Sequence, residues 1–216
     1  MILSPRPEIL VATHNPGKIR EIQEAFRFSP VRLRYLKEFS DVPQVDEVGR
    51  TYQENAVLKA LGYSRATGVC AVADDSGLEV DALGGMPGVF SARFGGDHAS
   101  DAQRINLLLA ALSEHPDKKR TARFVCCMAM AGWQQKEEAV KVGNPGLLKV
   151  TEGRCEGVIA DAPRGSNGFG FDPVFVPIAY DATFAELPAE VKSRISHRAL
   201  ALEAMRAFLE SHLAQT

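Results

Sequence analysis

The chain has 216 residues, 45% of them hydrophobic and 24% charged, which fits one large or two small soluble domains and excludes intrinsic disorder. A net charge of −2 supplies no global positive field, so neither nucleic acid nor an acidic membrane is an expected partner. No apolar run approaches the roughly 20 residues that span a bilayer, and Met1 to Glu8 lacks the apolar core of a signal peptide.

Ile9 to Thr13 is short, apolar and partly β-branched, so it reads as a strand. His14-Asn15-Pro16-Gly17 is a turn, and Lys18 to Phe28 forms a helix with Ile19, Ile22, Ala25 and Phe26 on one face. Val31 to Leu36 alternates like a half-buried strand. Thr51-Tyr52-Gln53-Glu54 has the form of a capping box and opens a helix that runs to about Thr67, with Gly68 as its stop. Val69 to Ala73 reads as a buried strand, and Ser100-Asp101-Ala102-Gln103 opens a third helix through Leu112, ahead of Pro116. Arg123 to Ala131, Ala139 to Val142 and part of Leu147 to Ile159 read as strands. Pro188 suits the first turn of a helix, and Ser196 is a candidate N-cap for the last one, which buries Ala201, Met205, Phe208 and Leu209. Helices between strands give an α/β fold, and the strand-rich segment from Arg123 to Ile159 makes the sheet mixed. Cys70, Cys126, Cys127 and Cys155 form no C-x-x-C pair and read as buried small hydrophobes in a reducing compartment, so the expected location is cytoplasmic.

Three segments carry chemistry. Thr13 to Lys18 joins a strand to a helix, where free N–H groups and the helix dipole favour an anion. It is not a Walker A loop, and a plain β–α connection explains it equally well. Asp74-Asp75-Ser76-Gly77 is placed at the end of an apolar strand, where ligands of open α/β sheets bind. Two adjacent carboxylates are costly to bury and suit Mg²⁺, although a solvated turn also accounts for them. Gly168-Phe169-Gly170-Phe171-Asp172-Pro173 offers an aromatic between glycines, and Ser196-His197-Arg198 offers hydrogen-bond donors. A core phenylalanine and a charged helix start are the plainer alternatives. Asn55 and Lys59, at i and i+4, share a helix face that reads as solvated, and so does the acidic loop at Asp46 and Glu47. Gly84-Gly85-Met86-Pro87-Gly88 lacks the spacing of a dinucleotide fingerprint.

Taken in order, these segments resemble the inosine triphosphate, or non-canonical purine nucleoside triphosphate, pyrophosphatases. The resemblance runs from Val11-Ala12-Thr13-His14-Asn15-Pro16-Gly17-Lys18, through Glu54-Asn55-Ala56 with Lys59, Ala73 to Leu78, Gly84 to Gly88, Ser91-Ala92-Arg93-Phe94 and Gly168 to Pro173, to Ser196-His197-Arg198. It implies one pyrophosphatase domain over residues 1–216, with an elongated mixed central sheet, flanking helices and two lobes around a substrate cleft. It also implies a homodimer that hydrolyses ITP, dITP and XTP to the monophosphate and pyrophosphate with Mg²⁺.

Carried over by residue, the resemblance puts the triphosphate on Thr13, His14, Asn15, Pro16, Gly17 and Lys18, with Lys59 and Ser76 nearby. Asp75 matches the general base, and Glu47, Asp74 and Asp75 match acidic positions linked to metal. Phe169, Gly170, Phe171 and Asp172 match the base-binding loop, Lys192 a substrate-contacting lysine, and His197 and Arg198 the purine readers. His14 departs from a common glycine and Cys155 from an aromatic, while Gln134 to Val150 does not align. A catalytically inactive nucleotide-binding sensor is the alternative, and the acidic pair argues against it because binding alone does not need two adjacent carboxylates.

Overall fold

The computed structural model describes residues 6–132 and 145–214; the strand expected at Ala139 to Val142 lies outside them. Glu8–Val11 forms β1, and Pro16–Ala25 forms α1. Asn15 caps α1 with its side chain, and Pro16 takes the first helical position, where no N–H is needed. Arg32–Tyr35 forms β2 and pairs parallel with β1, Ile9 opposite Leu33. Tyr52–Thr67 forms α2 behind the expected capping box, and it ends on Gly68 in the left-handed conformation.

The next strand is longer than its apolar core suggests. Cys70–Val80 forms β3, so Asp74-Asp75-Ser76-Gly77 lies within a strand rather than in a turn at its end. The reason is in the pairing. β1 stops at Val11, opposite Val72, while β3 continues past it. The two aspartates therefore still lie beyond the carboxyl end of a neighbouring strand, although not of their own.

Asp101–Ser113 forms α3, capped by Ser100 and Gln103. Thr121–Gly132 forms β4, which is buried almost throughout, and Gly146–Ile159 forms β5, which alternates buried and exposed from Thr151 onward. Phe175–Pro177 adds β6, a strand too short for its pattern to announce, antiparallel to β5. Ala189–Ile195 forms α4 with Pro188 as its N-cap, one residue earlier than the expected first-turn position, and His197–Leu213 forms α5. The sheet order is β2-β1-β3-β4-β5-β6, parallel at one end and antiparallel at the other, so the fold is mixed α/β.

The chain forms two compact units. Unit 1 comprises Met1–Asp75, Cys127–Glu152 and Ala201–Thr216, and unit 2 comprises Ser76–Cys126 and Gly153–Leu200. Unit 1 buries Ile9, Leu10, Val11, Ile22, Met128 and Met205. Unit 2 closes around Leu78, Leu108, Leu112, Phe124, Phe175 and Phe184. The four cysteines are free thiols; Cys126, Cys127 and Cys155 are buried as expected, whereas Cys70 is only half-buried, and desolvation pushes Cys70 and Cys155 up to about 11, so neither is a ready nucleophile. Among the described residues, no helix is long and apolar enough to cross a membrane.

Candidate active site

In unit 1, β3 carries Asp74 and Asp75, both buried, and α2 and α1 bring lysines to them. Lys18 Nζ lies 3.1 Å from Asp74 Oδ2. Lys59 Nζ donates to Glu47 Oε1 at 2.7 Å. Asn55 Nδ2 donates to Asp75 Oδ2 at 2.9 Å, while its Oδ1 accepts from the Gly49 N–H at 2.8 Å. Asn55 is thus used at both ends of its amide, which ties the loop holding Glu47 to Asp75.

Charge follows from this packing. Burial raises the Asp75 carboxyl above its ordinary value, against the opposing pull of Lys59, Asn55 and Lys18. Burial pushes the Lys59 ammonium down, but Asp74, Asp75 and Glu47 outweigh it and the net shift is upward. Lys59 therefore remains a cation among three acidic groups.

Asn55 and Lys59 do not form the solvated stripe that their spacing suggests: Asn55 is fully buried and Lys59 is 7% exposed. Glu47 is half-buried, whereas Asp46 is exposed as expected. A signal was present in the sequence. Ala56 and Ala60, with Tyr52 and Tyr63, mark the inward face of α2, and Asn55 and Lys59 adjoin it. Polar groups on such a face are buried only when partnered, and here the partners are acidic.

The Thr13–Lys18 turn differs from expectation in one respect. The first-turn N–H groups of Gly17 and Lys18 already end on Asn15 Oδ1, at 2.9 and 3.0 Å, and the Asn15 N–H donates to Thr13 Oγ1 at 3.2 Å. The helix start is thus capped by its own asparagine, and Lys18 is its strong cation. His14 and Pro16 are exposed, and Gly17 is buried.

Among the described residues, no group of three or more His, Cys, Asp or Glu side chains is arranged to hold a metal ion. The donor chemistry nonetheless fits Mg²⁺. This ion needs only one or two protein carboxylates and fills its remaining positions with water and substrate phosphate. Asp74, Asp75 and Glu47 are the candidates.

In unit 2, Arg198 is 2% exposed, and its Nη2 donates to Ser76 Oγ at 2.7 Å. Its guanidinium carbon is 5.7 Å from the centre of the half-buried Phe169 ring, and Lys192 Nζ is 4.8 Å from the same ring. Lys192 also donates to the buried Asp172 Oδ2 at 2.5 Å. That oxygen accepts from the Phe169 N–H as well, at 2.8 Å. His197 is buried and stacks on Phe124, with ring centres 4.7 Å apart. Phe171 belongs to the core, its ring 6.4 Å from that of Phe94, so it supports the loop with its side chain turned inward. The loop turns at Gly168 and Gly170, with φ of +77° and +64°. A side chain at Gly168 would also collide with Asp172, its Cβ 1.9 Å from Oδ2.

The family model described as the Ham1 family matches residues 9–208. The chain belongs to the Ham1 family. A dITP/XTP pyrophosphatase of Geobacillus kaustophilus (strain HTA426) is 48% identical over 195 residues, covering 90% of each chain. A protein of the same name from Geobacter sulfurreducens is 45% identical over 206 residues, 95% of this chain and 96% of that one. The structure of a HAM1 protein from Coxiella burnetii superposes with a TM-score of 0.82 at 41% identity, over 95% of this chain and 99% of the other. In this Ham1-family chain, the residues singled out from the sequence thus fall into two groups. Glu47, Asp74, Asp75, Lys18 and Lys59 lie in unit 1, and Ser76, Phe169, Asp172, Lys192 and Arg198 lie in unit 2. Asp75 and Ser76 are consecutive on β3.

Proposed function

We propose that this Ham1-family chain hydrolyses deaminated purine nucleoside triphosphates (dITP, ITP and XTP) to the monophosphate and pyrophosphate. The observation that carries this reading is the buried carboxylate pair of β3, held by lysines from two helices. Relatives that match over nine-tenths or more of the chain bear the name dITP/XTP pyrophosphatase. The same reading includes Mg²⁺ as cofactor, a homodimer and a cytoplasmic setting.

In this mechanism, Asp75 is the general base. Its burial raises its proton affinity above that of an ordinary carboxylate, the direction that strengthens a base. A water oxygen bonds to the α-phosphorus, and the bond from that phosphorus to the α–β bridging oxygen breaks. The water's proton passes to the Asp75 carboxylate, and pyrophosphate leaves. Lys18 and Lys59 turn from carboxylates to phosphate oxygens, aided by the dipole of α1. Of the three acidic candidates, Asp74 and Glu47 would hold Mg²⁺, which when bound neutralises charge on the phosphates, and Asp75 would keep an oxygen free for the proton.

In unit 2, Phe169 stacks on the purine, and Arg198, with His197 beside it, reads position 6. Arg198 can only donate hydrogen bonds, so it pairs with the 6-oxo group of hypoxanthine or xanthine and opposes the amino group of adenine. Lys192 and Asp172 hold the stacking loop in shape. A panel of ITP, dITP, XTP, GTP and ATP with Mg²⁺, assayed for released pyrophosphate, tests the proposal. Turnover of the first three well above ATP supports it. Tight ITP binding without turnover would leave a sensor instead.

A further inference from the structure

Within the Phe169 loop, one backbone bond closes the turn, from the Asp172 N–H to the Phe169 carbonyl at 3.3 Å. The loop turns at two glycines with positive φ, and the two successive N–H groups of Phe169 and Gly170 end on side chains rather than on backbone carbonyls. Each N–H ends on a carboxylate. That of Phe169 reaches Asp172 Oδ2, within the loop. That of Gly170 reaches Asp101 Oδ2 at 2.7 Å, across 69 residues of sequence. Hydrogen bonds from N–H to a carboxylate are among the stronger ones in proteins.

Asp101 is itself braced. Its Oδ1 accepts from Arg104 Nη1 at 3.0 Å, and the Arg104 side chain is only 16% exposed. Asp101 opens α3, whose start is fixed by the Ser100–Gln103 capping box and whose inner face, at Ile105, Leu108 and Leu112, lies in the core of unit 2. The loop is therefore clamped at both N–H groups. Asp172, held by Lys192, clamps it from inside, and Asp101, held by Arg104, clamps it from the core helix.

We propose that Asp101 is a positioning residue that sets purine affinity, by fixing Gly170 and hence the presentation of the Phe169 ring. This rests on the base-stacking role given to Phe169 above. A different role is available to an acidic residue at this position. Asp at a helix start favours the helix dipole through its charge alone. The two roles separate on one substitution. Asp101→Asn removes the charge but keeps an oxygen that can accept from Gly170, whereas Asp101→Ala removes both.

The test is steady-state kinetics with ITP and Mg²⁺ on wild type, Asp101→Ala and Asp101→Asn, with amide hydrogen exchange at Gly170 measured on each. In Asp101→Ala, KM should rise about tenfold or more, the range of one lost charge-assisted hydrogen bond, with kcat within about threefold of wild type. Gly170 exchange should accelerate. Asp101→Asn should restore both in good part: its one oxygen serves Gly170, while its NH2 group can no longer accept from Arg104. The inference is overturned if Asn behaves like Ala, if kcat falls at unchanged KM, or if the wild-type Gly170 N–H exchanges as freely as an open amide. The exchange arm needs no turnover. If wild type fails to hydrolyse ITP, the proposed function falls, and Gly170 exchange still decides whether Asp101 clamps the loop.

Discussion

The carboxylates of unit 1 and the aromatic loop of unit 2 are built by opposite means. Asp74 and Asp75 sit on a central strand, and their partners come from helices, so each charge is buried against another. Phe169 sits between glycines on a loop outside the sheet, and beside one backbone turn bond its shape comes from backbone N–H groups ending on side chains. Burial with pairing makes a charge expensive to disturb, since a buried ion left alone costs several kcal/mol. A loop held by two acceptors can shift at lower cost. Damage to unit 1 should therefore remove chemistry or stability, and damage to unit 2 should change which base is bound and how well.

The largest effect should come from Asp75→Asn, with kcat falling about 100-fold or more, as for loss of a general base, while ITP binding survives better. Near-wild-type turnover would break the contrast at its strongest point. Next is Arg198→Ala, which should narrow the ITP/ATP ratio of kcat/KM by about tenfold, the scale of one mispaired polar group. Phe169→Ala should instead weaken both nucleotides by a similar factor, since stacking ignores base identity. An unchanged ratio in Arg198→Ala would take base reading away from that residue. Asn55→Leu should lower stability by about 1–3 kcal/mol, because the buried Asp75 and the half-buried Gly49 N–H each lose a partner. Thermal unfolding measures this, and no change in Tm would mean that the amide is not a tie. The smallest effect concerns the thiols. With Cys70 and Cys155 pushed up to about 11, their thiolates form only as pH climbs toward that value. Alkylation of the native protein should stay slow at pH 8 and speed up on unfolding; rapid labelling of either cysteine in the native state would contradict the upward shift of its thiol.

Much of this contrast is written in the sequence, but unevenly. The α2 boundaries follow from Thr51, Glu54 and Gly68 because capping chemistry is local. The extent of β3 is not local. Asp-Asp-Ser-Gly has turn composition, and only its neighbours in the sheet keep it extended. Lys59 and Glu47 look like surface charges until each is seen to be the other's partner. The short β6 and the link from Asp101 to Gly170 join residues that are distant in sequence, which no spacing rule connects. Phe171 and Phe169 are alike in type and two residues apart, yet one ring enters the core and the other borders two cations.

In the proposed mechanism, water attacks the α-phosphorus and pyrophosphate leaves whole. Hydrolysis of ITP in ¹⁸O-water, followed by mass spectrometry of both products, reads this directly. One labelled oxygen in the monophosphate and none in pyrophosphate is the expected result. Label in pyrophosphate, or release of single phosphates, would contradict it.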